Sequence, residues 1–143
     1  MKRQVRELKA ARKPKAYAAG ALCDGDRIFF LQKRTPEGKV ELELPGTVVF
    51  EGDDPVFCVK AKMKQKAGID CEVGAVVFEG KYNAGSKKHK AFVPAMAFEC
   101  RAKDCTARPS AAYCGIKWVK KEKTEIRKEK IARNSEWLLA AMA

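Results

Sequence analysis

The sequence predicts an α/β fold in which helices cover the faces of a mixed β-sheet. Short apolar runs bounded by turn residues recur between residues 18 and 119, which is typical of strands. A helical pattern interrupts them after Pro55, and a second helical stretch forms the apolar C-terminal end. Because the 143 residues contain no internal repeat or linker, we expect a single domain.

The strands are predicted from apolar runs separated by turns and polar loops. The turn Asp24-Gly25-Asp26 is predicted to join the first two strands as a hairpin. Strands, a helix, further strands and a terminal helix together favour a mixed sheet with helices on its faces. The predicted strands, in chain order, are 18–23, 27–33, 40–44, 71–78, 91–101 and 115–119.

The central helix is predicted from its end signals as well as its pattern. Asp53 or Asp54 can cap its N-terminus, and Pro55 suits the first helical position. Gly68 suits the C-terminal end. The apolar stripe that should face the sheet is formed by Val56, Val59 and Met63.

The C-terminal end is predicted to pack a last helix onto the sheet. Asn134 or Ser135 can cap this helix, and Trp118 and Trp137 fit the core beneath it. Aromatic side chains could instead stack a nucleic-acid base, although core packing is favoured for each of them. These aromatic candidates are Tyr82, Phe92, Tyr113, Trp118 and Trp137.

The chain is strongly basic, with a net charge of +12 and an isoelectric point of about 9.6. This charge favours polyanionic partners such as nucleotides or RNA, or else serves only solubility. Residues 1–16 are predicted to form a basic N-terminal arm, and residues 17–143 a single domain. The arm could bind nucleic acid, lie on the domain as a short helix, or be part of a targeting signal. No apolar run is long enough to cross a membrane.

Six cysteines are dispersed along the chain without any CxxC pair, and this spacing argues against a zinc ribbon. Cys100, Cys105 and the lone His89 could form a metal site only by a forced arrangement. We expect reduced, mostly buried thiols in a protein of the cytoplasm or of an organelle interior.

One segment, residues 42–69, reads LELPGTVVFEGDDPVFCVKAKMKQKAGI. It resembles the box of the Nudix (MutT-like) hydrolase family, G-x5-E-x7-R-E-U-x-E-E-x-G-U, in which U is bulky and aliphatic. An overlay without gaps enters at Leu44-Pro45-Gly46, places Thr47 at the glycine that opens the pattern and Asp53 at the loop glutamate, and ends at Gly68-Ile69. The resemblance extends over roughly residues 17–140 and implies the Nudix-type α/β/α sandwich around a mixed β-sheet.

The overlay leaves the box without its helical glutamates. Lys62, Gln65 and Lys66 stand at the positions where the family holds Mg²⁺ or Mn²⁺ with carboxylates on one helix face. The resemblance therefore implies a degenerate active site, with the catalytic residues unassigned among these box positions and Asp53. No metal cofactor is expected, and Glu51 and Asp53 are only weak candidate ligands.

Two interpretations of the basic side chains remain open. Lysines near a helix C-terminus can form a solvated face that suits the helix dipole. Alternatively, Lys62 and Lys66 bind phosphate in place of the lost metal, with Lys87 and Lys88 of the polar loop as further phosphate-binding candidates. His89 in that loop could contact phosphate or simply belong to the basic surface.

Two functions follow from the resemblance. The favoured one is a catalytically impaired protein that binds a nucleotide, polyphosphate or nucleic acid, with RNA or a ribonucleoprotein as partner. The alternative is an active hydrolase of nucleoside diphosphate derivatives that holds Mg²⁺ or Mn²⁺ through non-standard ligands, such as Glu43, Glu51, Asp53 or Glu79. No membrane partner is expected, and a homodimer is possible by analogy with the family.

Overall fold

The computed structural model describes residues 12–142, which form a mixed seven-stranded sheet with helices on both faces. The α/β prediction is confirmed. The strands are β1 (Pro14–Asp24), β2 (Arg27–Arg34), β3 (Val40–Glu43), β4 (Gly46–Phe50), β5 (Glu72–Asn83), β6 (Phe92–Arg101) and β7 (Gly115–Lys120). The helices are α1 (Pro55–Lys62), α2 (Lys123–Arg127) and α3 (Trp137–Ala141).

Strand β1 is the centre of the sheet. It pairs parallel with β6 and antiparallel with β2 and β4, and the main path runs β3-β2-β1-β6-β5, with β7 added to β2. Alternate residues of a strand face opposite sides of the sheet. Accordingly, Tyr17 and Ala19 pack in one core with α3, whereas Ala18 and Leu22 pack in the other with α1.

Helix α1 begins as the sequence predicts. The Asp54 side chain accepts a hydrogen bond from the Val56 backbone N–H at 3.0 Å, and Pro55 occupies the first turn. Val59 and Met63 are fully buried, but Val56, in the first turn, is 41% exposed. The predicted apolar stripe is therefore wrong at Val56.

The box helix does not end at Lys62. It continues as a π-helical turn, Met63–Ala67, and stops at Gly68, which adopts a left-handed φ of 70°. A Cβ at Gly68 would lie 2.9 Å from the backbone oxygen of Arg108. Both the left-handed backbone and this close approach require glycine.

The observed strands differ from the predicted ones in three places. Strand β1 begins at Pro14, so residues 14–16 of the predicted arm belong to the sheet; residues 1–11 lie outside the described part. Strand β5 extends to Asn83 because β6 supplies partners along its whole length. Strand β4 was not predicted, since its residues fall inside the box and its pairing with β1 is non-local.

The C-terminal end also departs from the prediction. Residues 133–135 form a 3₁₀ turn, and α3 begins only at Trp137 without a side-chain cap. The Ser135 hydroxyl accepts a hydrogen bond from the Leu44 backbone N–H at 3.0 Å instead. Trp137 is buried as expected.

The six cysteines all lie in the described part and none forms a disulfide. Cys71 and Cys100 are buried, Cys114 is exposed, and the other three are half-buried, so the expectation of mostly buried thiols is wrong. Among residues 12–142, no helix is long and apolar enough to cross a bilayer.

Candidate functional site

A buried carboxylate, Glu43, lies at the end of β3 and is only 3% exposed. Its Oε1 accepts a hydrogen bond from the Asn134 side-chain amide at 2.8 Å. Its Oε2 accepts one from the Tyr113 hydroxyl and lies 3.5 Å from the ammonium of Lys66. Burying a carboxylate is costly unless its oxygens are bonded, and these three side chains meet that requirement.

The Lys66 ammonium connects this carboxylate to the first residue of β4. Its Nζ also donates to the carbonyl oxygen of Gly46 at 2.8 Å. Burial is the main influence on the pKa of Lys66 and lowers it, while Glu43 acts in the opposite direction. The positive charges of Lys62 and Lys33 lower the pKa further.

Backbone hydrogen bonds between distant parts of the chain bring these residues together. Residues 130–132 add to the edge of β3 through hydrogen bonds of Leu42 to Lys130 and Ala132, which places Asn134 beside Glu43. The loop before β7 binds the end of the box helix, because Ser110 N donates to Lys66 O at 3.0 Å. Tyr113 N then donates to Ser110 O, which sets the Tyr113 side chain over the carboxylate.

Tyr17 of β1 completes the buried polar cluster. Its hydroxyl is buried and finds no hydrogen-bond partner among the described residues. Burial, followed by the negative charge of Glu43, raises the pKa of Tyr17 well above its ordinary value. The ring packs 4.7 Å from that of Tyr82 and 6.4 Å from that of Trp137, measured between centroids.

An open cleft of about 340 Å³ lies beside Glu43. Its wall carries several cations, and Glu43 and Asn134 form part of its lining. The negative charge of Glu43 is already matched by Lys66, so the cleft presents mainly positive charge. The cationic lining residues are Lys33, Arg34 and Arg133.

The other candidate residues of the box, Lys62, Asp53 and Glu51, do not bond Glu43. The Lys62 ammonium donates to the Gln65 side-chain oxygen at 2.9 Å and is close enough to Lys66 to affect its pKa. Asp53 is engaged elsewhere, by a two-point ion pair with Arg12 at 3.0 and 3.3 Å and by the Phe50 N–H. Glu51 is exposed in the turn before α1.

The two other phosphate-binding candidates, Lys87 and Lys88, are exposed in the loop between β5 and β6. Among the described residues, no hydrogen bond or ion pair joins them to Lys66. His89 is also exposed there, and its backbone N–H bonds the Ser86 hydroxyl at 2.9 Å. The structure thus brings Lys62 close to Lys66, whereas no contact joins the loop lysines to either of them among the described residues.

The fold is that of the Nudix hydrolases. The chain is similar to the ORF135 protein of E. coli, with a TM-score of 0.68 and 16% identity over 92% of this chain and 90% of that one. A MutT Nudix hydrolase from Burkholderia pseudomallei gives a TM-score of 0.68 and 16% identity, covering 92% and 99%. An ADP-ribose pyrophosphatase from Streptococcus suis gives 0.62 and 19%, covering 90% and 89%. No family model and no curated protein matches the sequence.

The metal that this fold family implies does not fit the residues present. A hard divalent cation is held by several oxygen ligands, usually including carboxylates. At Gly46 and Glu43 it would meet the Lys66 ammonium, with Lys62 and Lys33 nearby. Within residues 12–142, no group of three or more His, Cys, Asp or Glu side chains is placed to hold a metal ion.

The sequence does not predict that three of the site residues form a group. It presents Glu43 as a possible metal ligand, Asn134 as a helix cap, and Tyr113 as a core or stacking residue. One signal was present: Glu43 stands between two leucines at a strand end, where burial demands bonding partners. Its partners lie 23, 70 and 91 residues away in sequence, which no local pattern predicts.

Proposed function

We propose that this Nudix-fold chain binds a nucleotide or another polyphosphate without hydrolysing it, using lysine ammonium groups in place of a metal ion. The observation that carries the proposal is the position of Lys66. Its ammonium is held by the Gly46 carbonyl at 2.8 Å and the Glu43 carboxylate at 3.5 Å. The Lys66 side chain therefore supplies a positive charge within the box itself.

The charge around Lys66 favours an anionic ligand. Lys33 and Lys62 repel it, and both lower its pKa. Glu43 is the carboxylate that bonds Lys66, so the three lysines carry more positive charge than it neutralises. Lys33 is the lysine of the three that lines the cleft, so a phosphate group bound beside it would offset that repulsion. Arg34 and Arg133 of the same lining could bind further phosphate oxygens with paired N–H donors.

The same chemistry argues against hydrolysis. A bound divalent metal stabilises phosphate charge and also lowers the pKa of its water, producing the nucleophile. An ammonium supplies the first effect but has no coordination site to activate water. Asp53, the box residue nearest in type to a catalytic base, is tied to Arg12 and Phe50.

Binding of ADP and of inorganic pyrophosphate, measured by calorimetry in EDTA, tests the proposal. Lys33→Ala and Lys62→Ala should each weaken binding, because each removes a cation from the cluster around Lys66. Lys64→Ala is the matched control, since Lys64 lies on the same helical segment but pairs with Asp70 at 3.1 Å. Equal effects of all three substitutions, or no binding at all, would contradict the proposal.

The alternative of an active hydrolase is tested by turnover. A panel of nucleoside triphosphates, ADP-ribose, sugar nucleotides and dinucleoside polyphosphates should give no phosphate release with Mg²⁺ or Mn²⁺. Turnover that disappears in Glu43→Gln would establish the hydrolase instead, with Glu43 released from Lys66 to serve the metal. RNA, ribonucleoprotein and homodimer partners remain predictions that this panel does not address.

A further inference from the structure

A second cavity continues the cleft away from Glu43. It measures about 320 Å³ and shares Tyr82 and Arg133 with the first cavity of about 340 Å³. We call the two together the basic groove. Its far part is lined by the end of β5, the start of β6 and the 3₁₀ turn before α3. The groove is thus longer than a site for one phosphate group requires.

An exposed aromatic ring stands at the far end of the groove. Phe92, the first residue of β6, is 61% exposed although large apolar side chains are usually covered. Tyr82 lies between Phe92 and the Glu43 end, because it lines both cavities. Its own ring is backed by the buried Tyr17. Two aromatic rings are therefore spaced along one groove.

Positive charge accompanies these rings. Lys81 and Arg133 line the far cavity, where Glu136 is the acidic lining residue. Arg133 also donates to the Gly85 carbonyl at 3.3 Å, which fastens the loop between β5 and β6 to the groove wall. The loop carries four further basic side chains at its exposed surface: Lys87, Lys88, His89 and Lys90.

The acids of the near cavity do not cancel this charge. Glu43 is bonded to Lys66, and Glu41 lies 3.9 Å from the ammonium of Lys130. Neither lysine lines the groove. Glu136 is the lining acid without an ion pair among the described residues, and it faces the cations Lys33, Arg34, Lys81 and Arg133, so the groove keeps a net positive charge for a polyanion.

We infer that the basic groove binds single-stranded nucleic acid, with one base stacked on Phe92 and the backbone phosphates held by Lys81, Arg133 and the loop lysines. Single-strand sites combine a positive groove with aromatic platforms on which successive bases stack. This inference goes beyond the proposed function, because Phe92 and the loop take no part in binding at Lys66. The loop lysines would bind a ligand that is longer than a single nucleotide.

Fluorescence anisotropy with a labelled oligouridylate of about eight nucleotides, a length within known single-strand site sizes, tests the inference. Phe92→Ala should weaken binding roughly fivefold or more, whereas Phe92→Trp should preserve it. Phe57→Ala is the matched control, since Phe57 on α1 is 70% exposed but lies outside the groove. Equal affinities of the natural protein and Phe92→Ala would overturn the inference.

The loop lysines are tested as a pair. Lys87→Ala with Lys88→Ala should lower oligonucleotide affinity and flatten its dependence on salt. The control pair is Lys120→Ala with Lys121→Ala, two adjacent exposed lysines at the end of β7. Identical salt dependence in the two double variants would also contradict the inference.

The two proposals can fail separately. ADP binding should be unchanged in Phe92→Ala if the stacking site is distinct from the lysine cluster. If the natural protein binds ADP but does not bind the oligonucleotide, this inference alone is contradicted. Oligonucleotide binding that depends on Phe92, without any ADP binding, would remove the proposed function alone.

Discussion

The ammonium of Lys66 lies 2.8 Å from the carbonyl oxygen of Gly46, and it also bonds a carboxylate that is almost fully buried. One lysine thus joins the end of the box helix to the start of β4 and to β3. Structural and functional consequences follow from this relationship, and they can be separated by substitution.

Lys66→Met should destabilise the fold by about 3 kcal/mol, because it leaves the buried Glu43 carboxylate without its cation. Lys64→Met is the control. The Lys64–Asp70 pair has side chains that are 60% and 82% exposed, so its loss should change stability by less than about 1 kcal/mol. Urea unfolding measures both. Equal stability losses would mean that Lys66 contributes no more than a surface ion pair.

Gly46→Ala should also destabilise the protein, since a Cβ there would lie 2.6 Å from Ala18 O and 2.9 Å from Ala19 Cα. Overpacking of this kind costs about 1–3 kcal/mol. It should additionally displace the carbonyl that binds Lys66 and so weaken ADP binding. In Gly74→Ala the nearest atoms would be 3.6 Å away, and little change is expected. Matching melting temperatures for the two variants would show that β4 can move away from β1 freely.

Alkaline pH should destabilise the protein through two tyrosines. Burial and the neighbouring Glu43 raise the pKa of Tyr17 and of Tyr113 above the ordinary value of 10.0. Above that pH the unfolded chain loses these protons while the folded chain keeps them, so stability falls as pH rises. The lowered pKa of Lys66 acts oppositely and relieves its burial cost as pH approaches 10.5.

Tyr17→Phe isolates one of these contributions. It removes a buried hydroxyl that has no partner among the described residues, so stability near neutral pH should hold or rise by about 1 kcal/mol. Its free energy of unfolding should fall less steeply above pH 10.0 than that of the natural protein. A marked loss of stability at neutral pH would show that the hydroxyl is bonded in solution.

Restoring the box carboxylates should create metal dependence. Lys62→Glu with Gln65→Glu and Lys66→Glu brings new carboxylates close to Glu43 and Gly46 O, so repulsion should lower the melting temperature without metal. Mg²⁺ or Mn²⁺ should raise it again, because a ligand that binds only the folded state stabilises it. The natural protein should show no such shift. A rise in its melting temperature with millimolar metal would mean that the natural residues do bind a divalent metal ion.

The fold could be predicted from the sequence because many of its elements are marked by local signals. Asp54, Pro55 and Gly68 mark the ends of the box helix within a short stretch. The apolar runs of β1 and β2 are continuous because successive residues enter the two cores on opposite faces of the sheet. The resemblance of residues 42–69 to a Nudix box was enough to predict the sandwich.

The site was less accessible, because its contacts are distant in sequence. Replacement of the glutamates by Lys62, Gln65 and Lys66 could be predicted, but the burial of Lys66 against Glu43 could not. Val56 shows the same limit, since it fits the apolar stripe in sequence but is 41% exposed in the fold. Side-chain type predicts what a residue can do, whereas tertiary packing decides which partner it meets.

The most direct test of the central claim is the metal dependence of ADP binding, measured by calorimetry in EDTA and again with Mg²⁺ and Mn²⁺. If the Lys66 ammonium serves in place of a metal ion, the natural protein binds ADP in EDTA with an affinity that added metal leaves unchanged, and it releases no phosphate. Binding that appears only with metal, or turnover of the ligand, would contradict the account.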